Sequence, residues 1–545
     1  MQSLATAKAQ LFDAFADIGA RLGTETIPAA QAVGRVLAEP VYAKLSSPNF
    51  HAAAMDGIAV SAAATFGASE SRPKTFELDE NAFAVNTGHV MPEGTDAVIM
   101  IEHVQMVDDR RLEIEAPLFP WQNVRRMGED IVATELLFAR HHKVTPYCVG
   151  ALLAGGIFEV TVLKPPKLLI LPTGSELVPP DQADPEHLAP GQVIESNAYV
   201  LGQMAEAAGA DYVHHDIVAD DISAIKTTVS DAAAGDFDII LVIGGSSAGS
   251  EDYARGVIEA IGKVHVHGVT IMPGKPTVIG EVQDKPAFGI PGYPVSAIIA
   301  FEQFVRPLIA AMLHQPEPEE ETIPACPTKK LASKLGMDEF LRVKLGRVAG
   351  RFVATPLPRG AGTITSITEA DGIIRIPADS EGFQEGEPVT TRLIKSRRAI
   401  EDTIVAVGSH DNTIGVLADL VRAQSSRFTL SSSHVGSMGG LMAIKKGLCH
   451  VAGSHLLDTD DGSYNISYIQ KYLPDIPVRV IRLVERDQGL IVRPDNPKRI
   501  SGIDDLTRED VAFINRQGGA GTRVLLDYHL QRMGLDPAAI SGYEN

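Results

Sequence analysis

DFDIILVIGGSSAGSEDY, residues 236–253, is the stretch on which the reading of this 545-residue chain turns. Its apolar run, 239–243, is short, rich in β-branched residues and closed by Gly244-Gly245, which reads as a buried strand entering a turn. The small polar loop 246–250 follows, and Glu251, Asp252 and Tyr253 open a helix. A glycine pair admits backbone N–H groups close to an anion, and the next helix turns its positive end toward it. The loop is neither a Walker A sequence nor GxGxxG, so its neighbours must decide between an anion cradle and an ordinary strand–turn–helix.

Downstream and upstream, the same alternation repeats. Residues 168–171 form an apolar strand ending in PTGSEL, Ser196 caps a helix with Leu201, Met204, Ala205 and Ala208 on one face, and 212–218 reads as a further strand. A helix over 221–234 leads into the central strand, and 264–271, 277–279 and 287–290 read as strands before PGYPVSA and an apolar helix over 295–313. This predicts an open, mostly parallel α/β sheet. PTGSEL (172–177), GGSSAG (244–249), PGKP (273–276) and PGYP (291–294) all follow strands, and ligands of open α/β sheets sit at the carboxyl ends of strands. A shared pocket is expected there.

Composition limits what such a pocket can serve. The chain is too long for one core, and 45% hydrophobic residues describe a globular multidomain protein. A net charge of −21 argues against nucleic acid or an anionic membrane as partner, since both call for a positive footprint. An anionic substrate must therefore be held by local N–H groups and cations. Cys148, Cys326 and Cys449 are far apart, which indicates neither a disulfide framework nor a zinc cluster. The N-terminus has no signal-like apolar segment, so a cytoplasmic location is expected.

Three stretches outside the sheet are distinctive. SSPNFHAAAMDGIAV (46–60) carries Asp56 in an Asp-Gly turn, and VNTGHVMPEGTDAVIMIE (85–102) is a punctuated loop before a strand. NVRRMGEDI (123–131) sets Arg125 and Arg126 beside Glu129 and Asp130, either a solvated charge cluster or a rim that holds an anion.

Taken in order, AAAMDGIAV, NTGHVMPEGTDAVIM, NVRRMGEDI, PTGSELV, IESNAY, GGSSAGSEDY, MPGKP and GIPGYPVSA resemble the molybdopterin molybdenumtransferase family, which includes the E-domain of gephyrin. The resemblance covers about residues 1–400 and implies insertion of molybdate or tungstate into adenylylated molybdopterin, with release of AMP and help from Mg²⁺, in an elongated homodimer. It implies a linking domain of 1–45 with 135–163, a second β-containing domain of 46–134, a molybdopterin-binding α/β domain of 164–320 and a small β domain of 321–400. Asp56, Asp130, Glu176, Asp238, Asp252 and Lys275 occupy positions that the family uses in catalysis, with Asp238 and Asp252 the expected metal ligands. Thr87, Arg125, Arg126, Gly244, Gly245, Ser246, Pro291 and Pro294 are the expected substrate contacts. Carboxylates suit a hard ion such as Mg²⁺, and Lys275 suits an anionic substrate. Three departures stand out: Met272 in place of a lysine that often precedes the PGK triplet, GGSSAG in place of GGVSVG, and Tyr293 where Asn is common.

Beyond a linker at 396–402, GSHDNTIGVLADLV, SSHVGSMGGLMAIKKG and NRQGGAGTRVLLD resemble the periplasmic-binding-protein-like domain found fused to this transferase, related to molybdate and tungstate receptors. The resemblance implies a ligand clamp over 401–545 with Ser409, His410, Asp411, Ser437, Gly439, Thr522 and Arg523 as contacts. Because the chain stops soon after the second-lobe helix, a truncated clamp is expected, with apolar surface exposed at the missing junction. Two function classes follow: a molybdenum or tungsten transferase with a sensing or delivery module, and a non-catalytic pterin- or oxyanion-binding scaffold on the same fold. The carboxylates and Lys275 favour the enzyme.

Overall fold

The computed structural model describes residues 1–244, 253–317 and 319–544. Helix α1 (Leu4–Ala14) is capped by Ser3, whose side chain accepts from the Thr6 N–H, and buries Leu4, Ala7 and Leu11 against the α/β domain. Strand β1 (Thr24–Pro28) then pairs antiparallel with a distant partner, β5 (Glu159–Leu163), so the segments before and after the second domain share one small core around Leu37, Leu152 and Val162. Between them, β2 (Gly57–Val60) is sandwiched by β3 (Ala82–Val85) and β4 (Ala97–Met100), with Ile58 and Val60 facing one core and Ala59 another.

The α/β domain follows from the alternating pattern of its apolar residues. Its strands are β6 (Lys167–Pro172), β7 (Asp211–His214), β8 (Ile239–Ile243), β9 (Lys263–His267), β11 (Val278–Val282) and β12 (Lys285–Ile290), in spatial order β7-β6-β8-β12-β11-β9. The first four are parallel; β11 runs antiparallel to β12, and β9, antiparallel to β11, returns to the direction of the first four. Leu168, Ile170, Leu241 and Ile243 point into the core shared with α1 and α2 (Asn197–Ala207). Leu169, Leu171, Ile240 and Val242 point the other way, against α3 (Ile222–Ala234) and α4 (Tyr253–Ile261). Every residue of β8 is buried, as its uninterrupted apolar run requires of a strand covered on both faces.

One expected strand divides. Residues 264–271 do not run straight: Gly268 takes a positive φ of 77°, and the chain leaves the sheet to form β10 (Ile271–Met272) in another. The apolar helix α5 (Pro294–Met312), with a π-helical turn at Phe301–Val305, is the one described helix long and apolar enough to span a membrane; 78% of it is buried inside the protein, which makes it a core helix.

The small β domain is built on the long strand β14 (Asp338–Val348) with β13 (Thr322–Pro327), β15 (Arg351–Pro356), β16 (Gly372–Ile376) and β17 (Val389–Leu393); β14 pairs with both β15 and β16, closing the sheet on itself. β10 joins it through in-register pairs Ile271 with Asp338 and Met272 with Glu339. The last region holds three parallel strands in order β19-β18-β20, namely β18 (Thr403–Gly408), β19 (Thr429–His434) and β20 (Val451–Gly453), with α6 (Thr413–Gln424), α7 (Gly436–Lys445) and α8 (Gly521–Met533). It shares a core with the β domain, where Val348 and Val353 meet Val405, Val407 and Leu448.

Candidate active site at the carboxyl edge of the sheet

The loops leaving β6, β7, β8 and β12 touch one another. Thr173 donates both its N–H (2.7 Å) and its hydroxyl (3.1 Å) to the Ile243 carbonyl, and the Gly244 N–H donates to Ile290 O at 3.0 Å. Gly244 must be glycine: its φ is 91°, and a Cβ there would lie 2.4 Å from Thr173 O. Gly292 approaches from the other side, where its own Cβ would stand 3.6 Å from the Gly244 Cα, an ordinary contact. Asn197, at the start of α2, donates to Gly292 O at 2.7 Å and so ties the IESNAY motif to the PGYP turn. Pro291 is buried directly after β12, and Pro294 begins α5, where a missing N–H costs nothing.

Glu176 folds back over Gly174, whose Cβ would lie 2.8 Å from either carboxylate oxygen. Beside it stands a residue that the sequence reading passed over. Asp220, after β7, accepts from the Ser175 N–H at 3.1 Å and returns its own N–H to the Ser175 hydroxyl at 3.3 Å. Its position in an acidic AD-D run resembles a helix cap, a role that its neighbour Asp221 in fact performs for α3. Lys275 is exposed on the loop after β10. Gly274 there has φ 114°, and its Cβ would lie 2.8 Å from Ile271 Cδ1 and 3.6 Å from Ser296 O, so the PGK turn lies against the start of α5.

Asp238 is a correction. It precedes β8, and six residues at about 3.3 Å each put it ~20 Å from Gly244, at the opposite edge of the sheet. There it accepts from the Lys167 N–H at 2.8 Å and lines a cavity of about 610 Å³ with Asp17, Arg21 and Lys285. Burial holds its carboxyl above the usual range, against the pull of Lys167 N–H and Lys285. It does not stand with the groups of the carboxyl edge. The expected contacts Gly245, Ser246 and Asp252 lie outside the described residues.

The second domain gathers its own group. Thr87 donates its N–H (2.7 Å) and hydroxyl (3.0 Å) to one Asp56 oxygen, which holds that carboxyl below its ordinary value. Arg125 is committed to Glu129 at 2.7 Å, and Glu129 also accepts from the Arg126 N–H, leaving the Arg126 side chain and Asp130 exposed. Among the described residues, no hydrogen bond or ion pair joins Asp56, Thr87, Arg125, Arg126 or Asp130 to the α/β loops of the same chain.

The β domain reaches the site through two residues also missed. Arg342 is 1% exposed and has no ion-pair partner among the described residues; it donates to Phe340 O, Pro358 O, Gly360 O and the Ser366 hydroxyl. Burial pulls its pKa below the ordinary arginine value. The loop it gathers delivers Ala361 O to the Val295 N–H at 3.0 Å, and Gly362 against the Tyr293 ring. Arg359, on that loop, pairs with buried Glu339 at 3.0 Å.

At the carboxyl edge of the last sheet, a Ser-His pair ends β19 and directly follows β18 and β20: Ser433-His434, Ser409-His410 and Ser454-His455. His410 and His434 hydrogen-bond at 3.1 Å, the Ser437 hydroxyl meets His455 Nδ1 at 3.2 Å, and Asp411 is held by Thr413, with Arg486 at 3.7 Å. Burial lowers the pKa of His434 and His455. Thr522 is exposed in the first turn of α8, whose Gly521 would bring a Cβ within 2.7 Å of His455 Nε2. Two of the expected contacts have protein neighbours of their own. Arg523 is drawn aside by Asp527 at 3.0 Å and the Tyr543 ring 3.9 Å away, and Gly439 packs on Val435, where a Cβ would meet its Cγ2 at 2.7 Å. The Ser-His repeat was the signal that would have found His434 and His455.

A cluster of loops at the carboxyl edge of an open α/β domain, braced by a β domain, defines a transferase of molybdenum cofactor biosynthesis once the relatives are considered. The chain matches the MoeA N-terminal region (domain I and II) over 2–156, the "Probable molybdopterin binding domain" over 169–311, the MoeA C-terminal region (domain IV) over 326–394 and a PBP superfamily domain over 418–545. It is 34% identical over 376 residues to a molybdopterin biosynthesis protein of Methanocaldococcus jannaschii, covering 67% of this chain and 91% of that protein. It is 32% identical over 378 residues to molybdopterin molybdenumtransferase 2 of Mycobacterium tuberculosis, covering 65% and 91%. The crystal structure of a molybdopterin biosynthesis MoeA protein from Pyrococcus horikoshii superposes with a TM-score of 0.60 at 32% identity, over 71% of this chain and 99% of that one. The chain belongs to the molybdopterin molybdenumtransferase (MoeA) family.

Proposed function

We propose that this chain inserts molybdenum or tungsten, supplied as the oxyanion, into adenylylated molybdopterin and releases AMP. The observation that carries the reading is the convergence of the loops at Thr173–Glu176, Gly244, Lys275 and 291–294 on one sheet edge, in a chain whose net charge is −21. A polyanionic substrate can be held there only by locally placed groups. Lys275 faces its phosphoryl or molybdate oxygens, and the close backbone approach at Gly244 leaves room for the pterin.

The donor set fits magnesium. Glu176, folded over Gly174, and Asp220, bonded to Ser175, offer hard carboxylate oxygens at one loop, and Mg²⁺ is commonly held by one or two carboxylates together with substrate phosphate oxygens. When bound, the ion neutralises charge on the phosphoryl group as AMP departs. Asp220 is fixed by Ser175, so its second oxygen keeps its aim without reorganisation. The Asp56 and Thr87 group serves the same reaction from a second copy of the chain, in a homodimer that brings the 46–134 domain of one copy to the α/β loops of the other.

The test is oxyanion-dependent AMP release by purified protein given adenylylated molybdopterin, Mg²⁺ and molybdate or tungstate. Lys275→Ala is expected to lower kcat/KM by roughly tenfold to a hundredfold, the worth of one charge-assisted contact. AMP release that is indifferent to the oxyanion would defeat the reading.

A further inference from the structure

We infer that Arg359, contributed by the β domain, is an anion-binding residue of the transfer site that takes a tetrahedral oxyanion group of the substrate. The inference rests on the transferase reading above and names a contact that the α/β loops do not supply. Arg359 stands between two of those loops. Its own segment runs on into Ala361 and Gly362, which touch Val295 and Tyr293 of the PGYP turn. Its ion-pair partner Glu339 pairs in register with Met272, the residue that opens the PGK turn. Paired residues of neighbouring strands project from the same face of a sheet, so Glu339 brings the guanidinium to the side on which Met272 points.

The guanidinium is anchored at one end only. Nη1 makes all of its protein contacts, to Ala332 O at 2.7 Å and to the Glu339 carboxylate at 3.0 Å. Among the described residues, Nε and Nη2 donate to no protein atom, and the side chain is 42% exposed. Glu339, by contrast, is 3% exposed, so the pair turns its cationic side outward. A planar fork with one arm pinned and the other free is pre-organised for two parallel bonds to a phosphate or molybdate edge. Such a posture is also maintained from behind, because buried Arg342 holds Pro358 O and Gly360 O on either side of Arg359.

Met272 sharpens the inference. The PGK turn carries Lys275 as its single cation, and position 272 is apolar although it lies beside buried Glu339. A lysine at 272 would share Glu339 with Arg359, and so the two cations are interchangeable in place if not in shape.

The test is steady-state AMP release by the full chain, titrating adenylylated molybdopterin and molybdate separately, for wild type, Arg359→Gln, Arg359→Lys, Met272→Lys and the Arg359→Gln/Met272→Lys double variant. Arg359→Gln is expected to raise KM at least about tenfold for one of the two substrates, with Tm unchanged; the affected substrate identifies whether phosphoryl or molybdate oxygens are taken. Arg359→Lys is expected to recover part of the loss, and Met272→Lys is expected to restore KM in the Arg359→Gln background, which a purely structural role would not allow. An unchanged KM for both substrates in Arg359→Gln, or a loss that follows a fall in Tm and is not rescued at 272, overturns the inference. If wild type releases no AMP, the transferase reading fails by itself; calorimetric titration of the same variants with AMP and with molybdate then decides on Arg359, weaker binding of either upholding it and equal binding of both refuting it.

Discussion

Asp238 and Asp220 show how position along a strand outweighs residue type. Both are carboxylates near the α/β strands, yet one stands before β8 and the other after β7, so only Asp220 reaches the carboxyl edge. Asp238→Asn is therefore expected to retain AMP release within about twofold, since Asn can still accept from Lys167 N–H. Its stability should depend on pH in a definite sense. Burial raises the folded pKa above the unfolded value, so the wild-type native state binds the proton more tightly and loses stability as pH rises from the unfolded pKa through the folded one. The advantage of Asp238→Asn over wild type, measured by thermal melts, is expected to grow as pH rises above the ordinary carboxylate range. A difference that is flat across this window would show that burial does not govern the group.

At the scale of elements, β14 is the strand that sets two of the pocket's loops. Its first residues pair with β10 and so fix the PGK turn, while Arg342, four residues on from Asp338, gathers the loop that braces the PGYP turn. A buried guanidinium satisfied mainly by carbonyls is costly to desolvate, and removing it strands those carbonyls without donors. Arg342→Met is expected to lower stability by about 2 to 4 kcal/mol in denaturant titration and to depress turnover as well. Arg342→Lys is expected to recover little, because a single ammonium cannot span Phe340, Pro358, Gly360 and Ser366. Wild-type stability in Arg342→Met would mean that the loop holds itself.

For the whole molecule, the point to test is that, among the described residues, no hydrogen bond or ion pair joins Asp56 and Thr87 to Lys275 within one chain. On the proposed homodimer, co-purified Asp56→Ala and Lys275→Ala chains, each expected to be inactive alone, are expected to regain AMP release when mixed, since a heterodimer would contain one site with both residues intact. Failure to complement in dimers proven mixed would mean that each chain works alone. The C-terminal region is not a loosely tethered appendage in this architecture. Gly346 would bring a Cβ within 2.2 Å of Val405 Cγ2, and Lys344 reaches Ser432 O at 3.3 Å, so the Ser-His edge and the transfer site share the body of β14.

Much of this was legible in the sequence because it depends on local order. The five apolar residues of β8, the strand-then-loop grammar of PTGSEL and PGYP, and the glycine demanded at 244 follow from periodicity and turn chemistry, which act over a few residues. The strand expected over 264–271 failed at Gly268, where the pull of β14 on β10 came from a segment some seventy residues away. The same holds for the site. Glu176 and Lys275 were singled out by their motifs, whereas Asp220, Arg342 and Arg359 carry no motif and are placed at these loops only by neighbours distant in the chain. Sequence by itself determined the alternation of strands and helices and the chemistry of the loops. Tertiary structure alone decided which carboxylate lies at which end of the sheet and which cations converge, because burial and pairing are set by contacts between remote segments.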